Sequence, residues 1–200
     1  MRNAILALCL LCPLPSALAA TLVTSTFDTD VDGWTAVSAS VFEWRSNDGN
    51  PPGYLYLDNT ETAIAYVVAP AKFRGDLSAY NGGTLSFDGK LLGSGGGFYD
   101  STVDYGNIFI QSFVPNVGTL TARLDVLPGG AAPPAGGWQT FTAPLTAAAW
   151  IRTSGQAIPE SQWLQILANV TDVRISVEAL FGNEIAWRAP RCSAWNTAII

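Results

Sequence analysis

Nine short runs of alternating apolar and polar residues, separated by clusters of glycine, proline, asparagine and serine, constrain this chain more than any other feature. They fall at residues 22–27, 34–44, 54–57, 63–68, 84–92, 107–114, 119–126, 138–145 and 172–181. A period of two places every second side chain on one face, as a half-buried strand requires. Many such runs at short spacing predict an all-β fold, an antiparallel sandwich or barrel. In residues 84–92, for example, Leu85, Phe87, Gly89 and Leu91 share one face, while Ser86, Asp88 and Lys90 share the other. One segment breaks the rhythm. Pro159 and Glu160 suit a first helical turn, Trp163, Leu164, Ile166 and Leu167 form an apolar stripe, and Asn169 ends it. A short helix across one edge of the sandwich is expected. Residues 127–137, rich in Gly-Gly and Pro-Pro doublets, read as a surface loop rather than a domain boundary.

Arg2, the apolar run 4–14 and Ala17-Leu18-Ala19 have the charged, hydrophobic and small-residue regions of a secretory leader, so residues 1–19 are expected to be a signal peptide. The apolar run is too short to span a bilayer comfortably. Cleavage would remove Cys9 and Cys12 and leave Cys192 alone, which excludes an internal disulfide. The remaining chain of roughly 180 residues suffices for one hydrophobic core, which must then carry the stability. The expected product is secreted, extracellular or periplasmic, without a membrane span in its mature form. Its net charge of −6 argues against nucleic acid and anionic membrane surfaces as partners.

Three stretches share their order and spacing with a known family: Gly49-Asn50-Pro51-Pro52-Gly53-Tyr54, Ala69-Pro70-Ala71-Lys72-Phe73-Arg74-Gly75-Asp76, and Tyr80-Asn81-Gly82-Gly83-Thr84-Leu85-Ser86-Phe87-Asp88. In these the chain resembles the laminin IV (laminin B) domain, from about Phe27 to Ile185. The resemblance implies a laminin IV-type domain over residues 20–185, a jelly-roll-like antiparallel β-sandwich related to carbohydrate-binding modules. It also implies a non-catalytic extracellular role in adhesion, the matrix or the cell envelope, with a protein or glycan as partner. The family usually closes with a Leu-Asp-Asn-Val strand, but here Ala186-Trp187-Arg188-Ala189-Pro190-Arg191-Cys192 follows Ile185. Residues 186–200 are therefore expected to be an atypical, poorly ordered tail that leaves a sheet edge unpaired.

Asp28, Asp30 and Asp32 before Gly33 spell the opening of an EF-hand loop, D-x-D-x-D-G. The twelfth position is Ala39 instead of the bidentate glutamate, and residues 22–27 read as a strand where a helix should enter. The remaining metal reading is a structural calcium held by some of these carboxylates within a sandwich; the alternative is a solvated acidic turn. The chain has no histidine, which removes the usual zinc ligand and the usual base of a nucleophile. Glu43, Asp58, Asp76, Asp88, Asp104 and Glu178 could in principle pair for glycoside hydrolysis, but spacing in sequence places no two of them together, and no catalysis is expected. Trp34, Trp44, Trp138 and Trp163 sit in apolar patterns and read as packing groups. Phe98, Tyr99 and Tyr105 lie in the glycine-rich stretch 93–106, which no core pattern claims, and are the expected recognition surface. Asn169-Val170-Thr171 matches a glycosylation sequon.

Overall fold

A computed structural model of the chain describes residues 21–47, 49, 53–58, 63–91, 105–127, 137–177 and 184–193. The expected leader lies outside them, as do Phe98 and Tyr99. The described strands are β1 (Val23–Thr24), β2 (Thr35–Val37), β3 (Val41–Arg45), β4 (Tyr54–Asp58), β5 (Tyr66–Val68), β6 (Thr84–Leu91), β7 (Ile108–Val114), β8 (Gly118–Leu124), β9 (Gln139–Pro144), β10 (Ile151–Arg152), β11 (Val170–Ser176) and β12 (Glu184–Ser193), with helix α1 (Glu160–Ala168) before β11. Sheet A runs β3-β4-β12-β6-β9, with β1 also paired to β12, and sheet B runs β10-β8-β7-β11-β5-β2. The pairings are antiparallel.

Alternation builds the core as the sequence predicts. Leu55, Leu57, Leu85, Phe87, Phe141 and Ala143 point inward from sheet A to meet Val67, Ile108, Ile110, Ala122, Val173 and Ile175 from sheet B. Phe87 stacks on Phe141 with centroids 5.1 Å apart, and at about 25 cal/mol per Å² of apolar surface such burial is what holds the sandwich together. The fold is thus an all-β, jelly-roll-like antiparallel sandwich with one short helix. That helix buries Trp163, Ile166 and Leu167. Trp163 stacks on Trp150 at 5.4 Å, and its Nε1 donates to Asn81 Oδ1 at 2.9 Å. Leu164, counted with the apolar stripe, is exposed, because one residue of helix turns it about 100° away from Trp163. Trp138 is likewise no core group. It packs on the outer face of sheet A beside Tyr54, since Phe141 and Ala143 hold the inward phase of β9 and leave position 138 on the other side.

The three stretches that carried the family resemblance in the sequence act in building the fold. Gly53 has φ +110° and lies so close to Phe27 that an added Cβ would fall 1.9 Å from its carbonyl oxygen; Trp44 Nε1 donates to the same oxygen at 2.7 Å. Phe73 is buried against Trp34 at 5.5 Å, Arg74 Nε donates to the Ala69 carbonyl at 2.9 Å, and Asp76 accepts the Ser78 N–H at 2.9 Å. Hydrogen bonds from the Ser78 side chain and then from its N–H hold the exposed Asp76 carboxyl below its ordinary pKa.

The C-terminal expectation needs correction. Instead of a poorly ordered tail, residues 186–193 belong to β12, which lies between β4 and β6 in the middle of sheet A. Its register against β6 slips by one residue between Arg188 and Arg191. Pro190 falls in that slip, where a bulge excuses its missing N–H. On the opposite side β12 pairs with β4 up to Trp187 and with β1 at Arg191 and Cys192, so Pro190 sits in the gap between two partners. Residues 194–200 lie outside the described part of the chain.

Candidate functional site

The outer face of sheet B carries aromatic and polar side chains beside one another. In β7 the core takes Ile108, Ile110 and Ser112, which leaves Phe109 and Gln111 on the outside. In β5 it takes Val67 and leaves Tyr66. A bulge in β11 resets the phase there: Val170 and Val173 are both buried, Thr171 is the extra residue, and Asp172 comes to lie opposite Gln111. The ladder bonds that the bulge removes are replaced locally. Thr171 Oγ1 donates to the Gln111 carbonyl at 3.1 Å, Ser112 Oγ to the Asn169 carbonyl at 2.7 Å, and Asn169 Nδ2 to the Phe113 carbonyl at 2.9 Å. The polar side chains of the sequon therefore serve the strand exchange itself.

Tyr66 and Phe109 meet edge to face at 5.8 Å and 80°, and with Gln111, Thr121, Asp172 and Arg174 they line a cleft of about 150 Å³. Across the strands the order is Thr121, Gln111, Asp172 in one row and Arg123, Phe109, Arg174 in the next. Asp172 and Arg174 form an ion pair in which the carboxylate is largely buried and the guanidinium partly exposed. Gln111 Nε2 reaches Thr121 Oγ1 at 3.4 Å. The cleft thus offers two aromatic faces, a positioned carboxylate acceptor, a guanidinium donor, and an amide and hydroxyl that can each donate or accept. Such a surface suits a flat ligand with an apolar face and many hydroxyl groups at its edge.

The residues singled out in the sequence lie elsewhere. Tyr105, expected on an exposed loop, is instead buried in the core against Phe141 at 5.9 Å. It sits in the turn that leads into β7, so the chain's entry to the sheet carries its ring between the layers, and burial pushes its phenol pKa above the ordinary value of 10.0. The acidic turn is distributed among separate protein partners. Asp28 accepts from Thr26 Oγ1 at 2.6 Å, Asp30 from the Asp32 N–H at 2.7 Å, and Asp32 from Lys72 Nζ at 2.5 Å. Lys72 also donates to the Thr24 carbonyl at 2.7 Å, so an ammonium stands where a cation beside Asp32 would. Among the described residues no three His, Cys, Asp or Glu side chains come together as a metal site would require. Glu43 is paired with Arg45 at 2.7 Å, and Asp88 accepts from Thr140 at 2.5 Å.

The sequence carries one partial signal of the cleft, and it went unread. Phe109 is an aromatic residue on the polar side of its strand, facing the Arg174 of a strand whose apolar residues point inward. Asp172 could not be placed, since a bulge leaves no mark in an alternating pattern.

No protein-family model matches the chain, and no curated protein sequence does. Solved structures similar to it include the L4b domain of human laminin alpha-2, with a TM-score of 0.59 and 16% identity over 88% of this chain and 95% of that one. They also include the family 11 carbohydrate-binding module from Clostridium thermocellum in complex with a β-1,3-1,4-mixed-linked tetrasaccharide, with a TM-score of 0.54 and 16% identity over 86% and 95%. The family 11 module of the cellulosomal cellulase Lic26A-Cel5E from the same organism gives 0.55 and 15% over 89% and 97%. At such identities the likeness shows a shared β-sandwich fold.

Proposed function

We propose that this protein is an exported, non-catalytic glycan-binding module that holds a saccharide chain across the outer face of sheet B. The observation that carries this reading is the cleft between Tyr66 and Phe109, where two aromatic rings stand beside Asp172, Arg174, Gln111 and Thr121. Aromatic rings give a sugar's apolar face a contact that costs little conformational entropy, and the surrounding polar groups fix its hydroxyls. The fold shared with a module solved in complex with a tetrasaccharide supports the reading. Export rests on the leader read at residues 1–19. Among the described residues no helix is long and apolar enough to cross a membrane.

Affinity electrophoresis of the purified protein through gels containing individual plant, algal and microbial polysaccharides tests this directly. Retardation in at least one gel, lost in Phe109→Ala and in Tyr66→Ala while both variants keep a cooperative melt, is the expected result. The resemblance to laminin IV and the fold shared with the L4b domain favour a second reading, adhesion to a matrix protein. That reading predicts capture by a matrix protein that the two aromatic substitutions leave unchanged.

A further inference from the structure

The cleft on sheet B constrains its ligand by shape as well as by chemistry. Tyr66 and Phe109 stand at 80° to one another, so no plane holds both ring faces. One ring can take the apolar face of a sugar while the other stands as a wall at its edge. The packed surface of a crystalline polysaccharide is flat and needs aromatic faces that share a plane, which this pair does not offer. The polar floor points the same way. The side chain of Asp172 is 13% exposed and that of Arg174 43%, and both line the cleft with the rings. A hydroxyl group therefore reaches the carboxylate only when its own sugar unit enters the cleft.

That floor also holds a donor and an acceptor in fixed order. Asp172 and Arg174 stand two residues apart in β11, and Arg174 Nε donates to Asp172 Oδ2. The guanidinium has further N–H groups to give, and the carboxylate further lone pairs to accept with. An acceptor and a donor held in contact match two hydroxyls on neighbouring carbons, one donating to Asp172 and the other accepting from Arg174. Equatorial hydroxyls on alternate carbons of a ring stand farther apart than this pair. Gln111, opposite Asp172, and Thr121, opposite Gln111, line the side of the cleft across from β11.

We infer that the cleft takes one unit of an individual, hydrated saccharide chain and reads two neighbouring free hydroxyls on it through Asp172 and Arg174. The inference rests on the glycan reading of the cleft. It selects chains by linkage, because an internal pyranose of a 1,4- or 1,6-linked chain keeps neighbouring hydroxyls free, whereas an internal unit of a 1,3-linked chain keeps no two side by side. It also turns the site away from crystalline polymers.

Titration calorimetry of the whole protein with soluble xylan, galactomannan, cello-oligosaccharides and dextran, and with a soluble linear 1,3-linked glucan, tests the linkage. Depletion onto highly crystalline cellulose and crystalline mannan tests the packing. At least one chain of the first group should bind, about tenfold or more tightly than the 1,3-linked glucan, and the solids should leave the protein in solution. Asp172→Asn and Arg174→Gln should each weaken the binding by about tenfold while keeping a cooperative melt. Should either variant fail to fold, the linkage and packing comparisons on the wild type decide alone. Equal affinity for the 1,3-linked glucan, retention on a crystalline solid as tight as on a soluble chain, or unchanged binding in the folded variants would overturn the inference. If the binding seen in such a case is lost in Phe109→Ala, the glycan cleft stands without it; if no saccharide binds, both readings fall.

Discussion

A methyl group added at Gly89 would stand 2.6 Å from the Tyr105 hydroxyl and 3.2 Å from Phe141 Cε2. Gly89→Ala should therefore destabilise the fold by overpacking, by about 1–3 kcal/mol. In a Tyr105→Phe background the nearer clash is gone and the loss should shrink; chemical denaturation giving the same loss in both backgrounds would mean that the ring does not lie over Gly89. Tyr105 also predicts a pH dependence. The folded chain keeps a proton that the unfolded chain gives up above the ordinary phenol value of 10.0, so this residue's contribution is complete below that pH and lost as pH climbs toward the raised value. Melting curves between about pH 8 and pH 11 should fall more steeply for the wild type than for Tyr105→Phe. At the acidic turn, the Lys72 ammonium already balances Asp32, and the melting temperature in millimolar calcium is expected to equal that in chelator. A saturable rise with calcium would return Asp28, Asp30 and Asp32 to a shared metal site.

Among the elements, β12 decides whether sheet A is closed. Its ten residues pair with β4, β6 and β1, so amide exchange should show strong protection at residues 185–188 and 191–192, with faster exchange at Ala189 in the bulge. Free exchange throughout this segment would restore the disordered tail. The strand escaped sequence reading for a physical reason. Pro190 breaks both the alternation and the ladder donor pattern, and a bulge tolerates it only because the break falls between two successive partners. By contrast β6, β7 and the part of β11 after its bulge were legible because their inward residues, such as Leu85, Phe87, Ile110 and Ile175, follow the strand period without interruption. Helix α1 was legible for the same reason at a period of 3.6, apart from Leu164, whose apolar character carries no information on which side of the helix it lies.

At the scale of the whole molecule, one hydrophobic core fixes the two sheets and leaves their outer faces to differ. The core was largely visible in the sequence, because burial imposes a repeating pattern on the residues that undergo it. The cleft was not, because it draws Tyr66, Phe109, Thr121 and Asp172 from four strands that only the sheet order β8-β7-β11-β5 brings together. The aromatic residues that the sequence made conspicuous, Phe98, Tyr99 and Tyr105, were conspicuous for lacking a pattern, and the described one proved to be core. The claim that most needs a direct test is that sheet B, by its outer face, is where the ligand sits. An ¹⁵N-labelled sample titrated with the oligosaccharide of whichever polysaccharide retards the protein gives that test by chemical-shift mapping. The predicted result is a set of perturbed amides concentrated at Tyr66, Phe109, Gln111, Thr121, Asp172 and Arg174, with sheet A silent. Perturbations confined to sheet A or to residues 93–104, with these six unmoved, would contradict it.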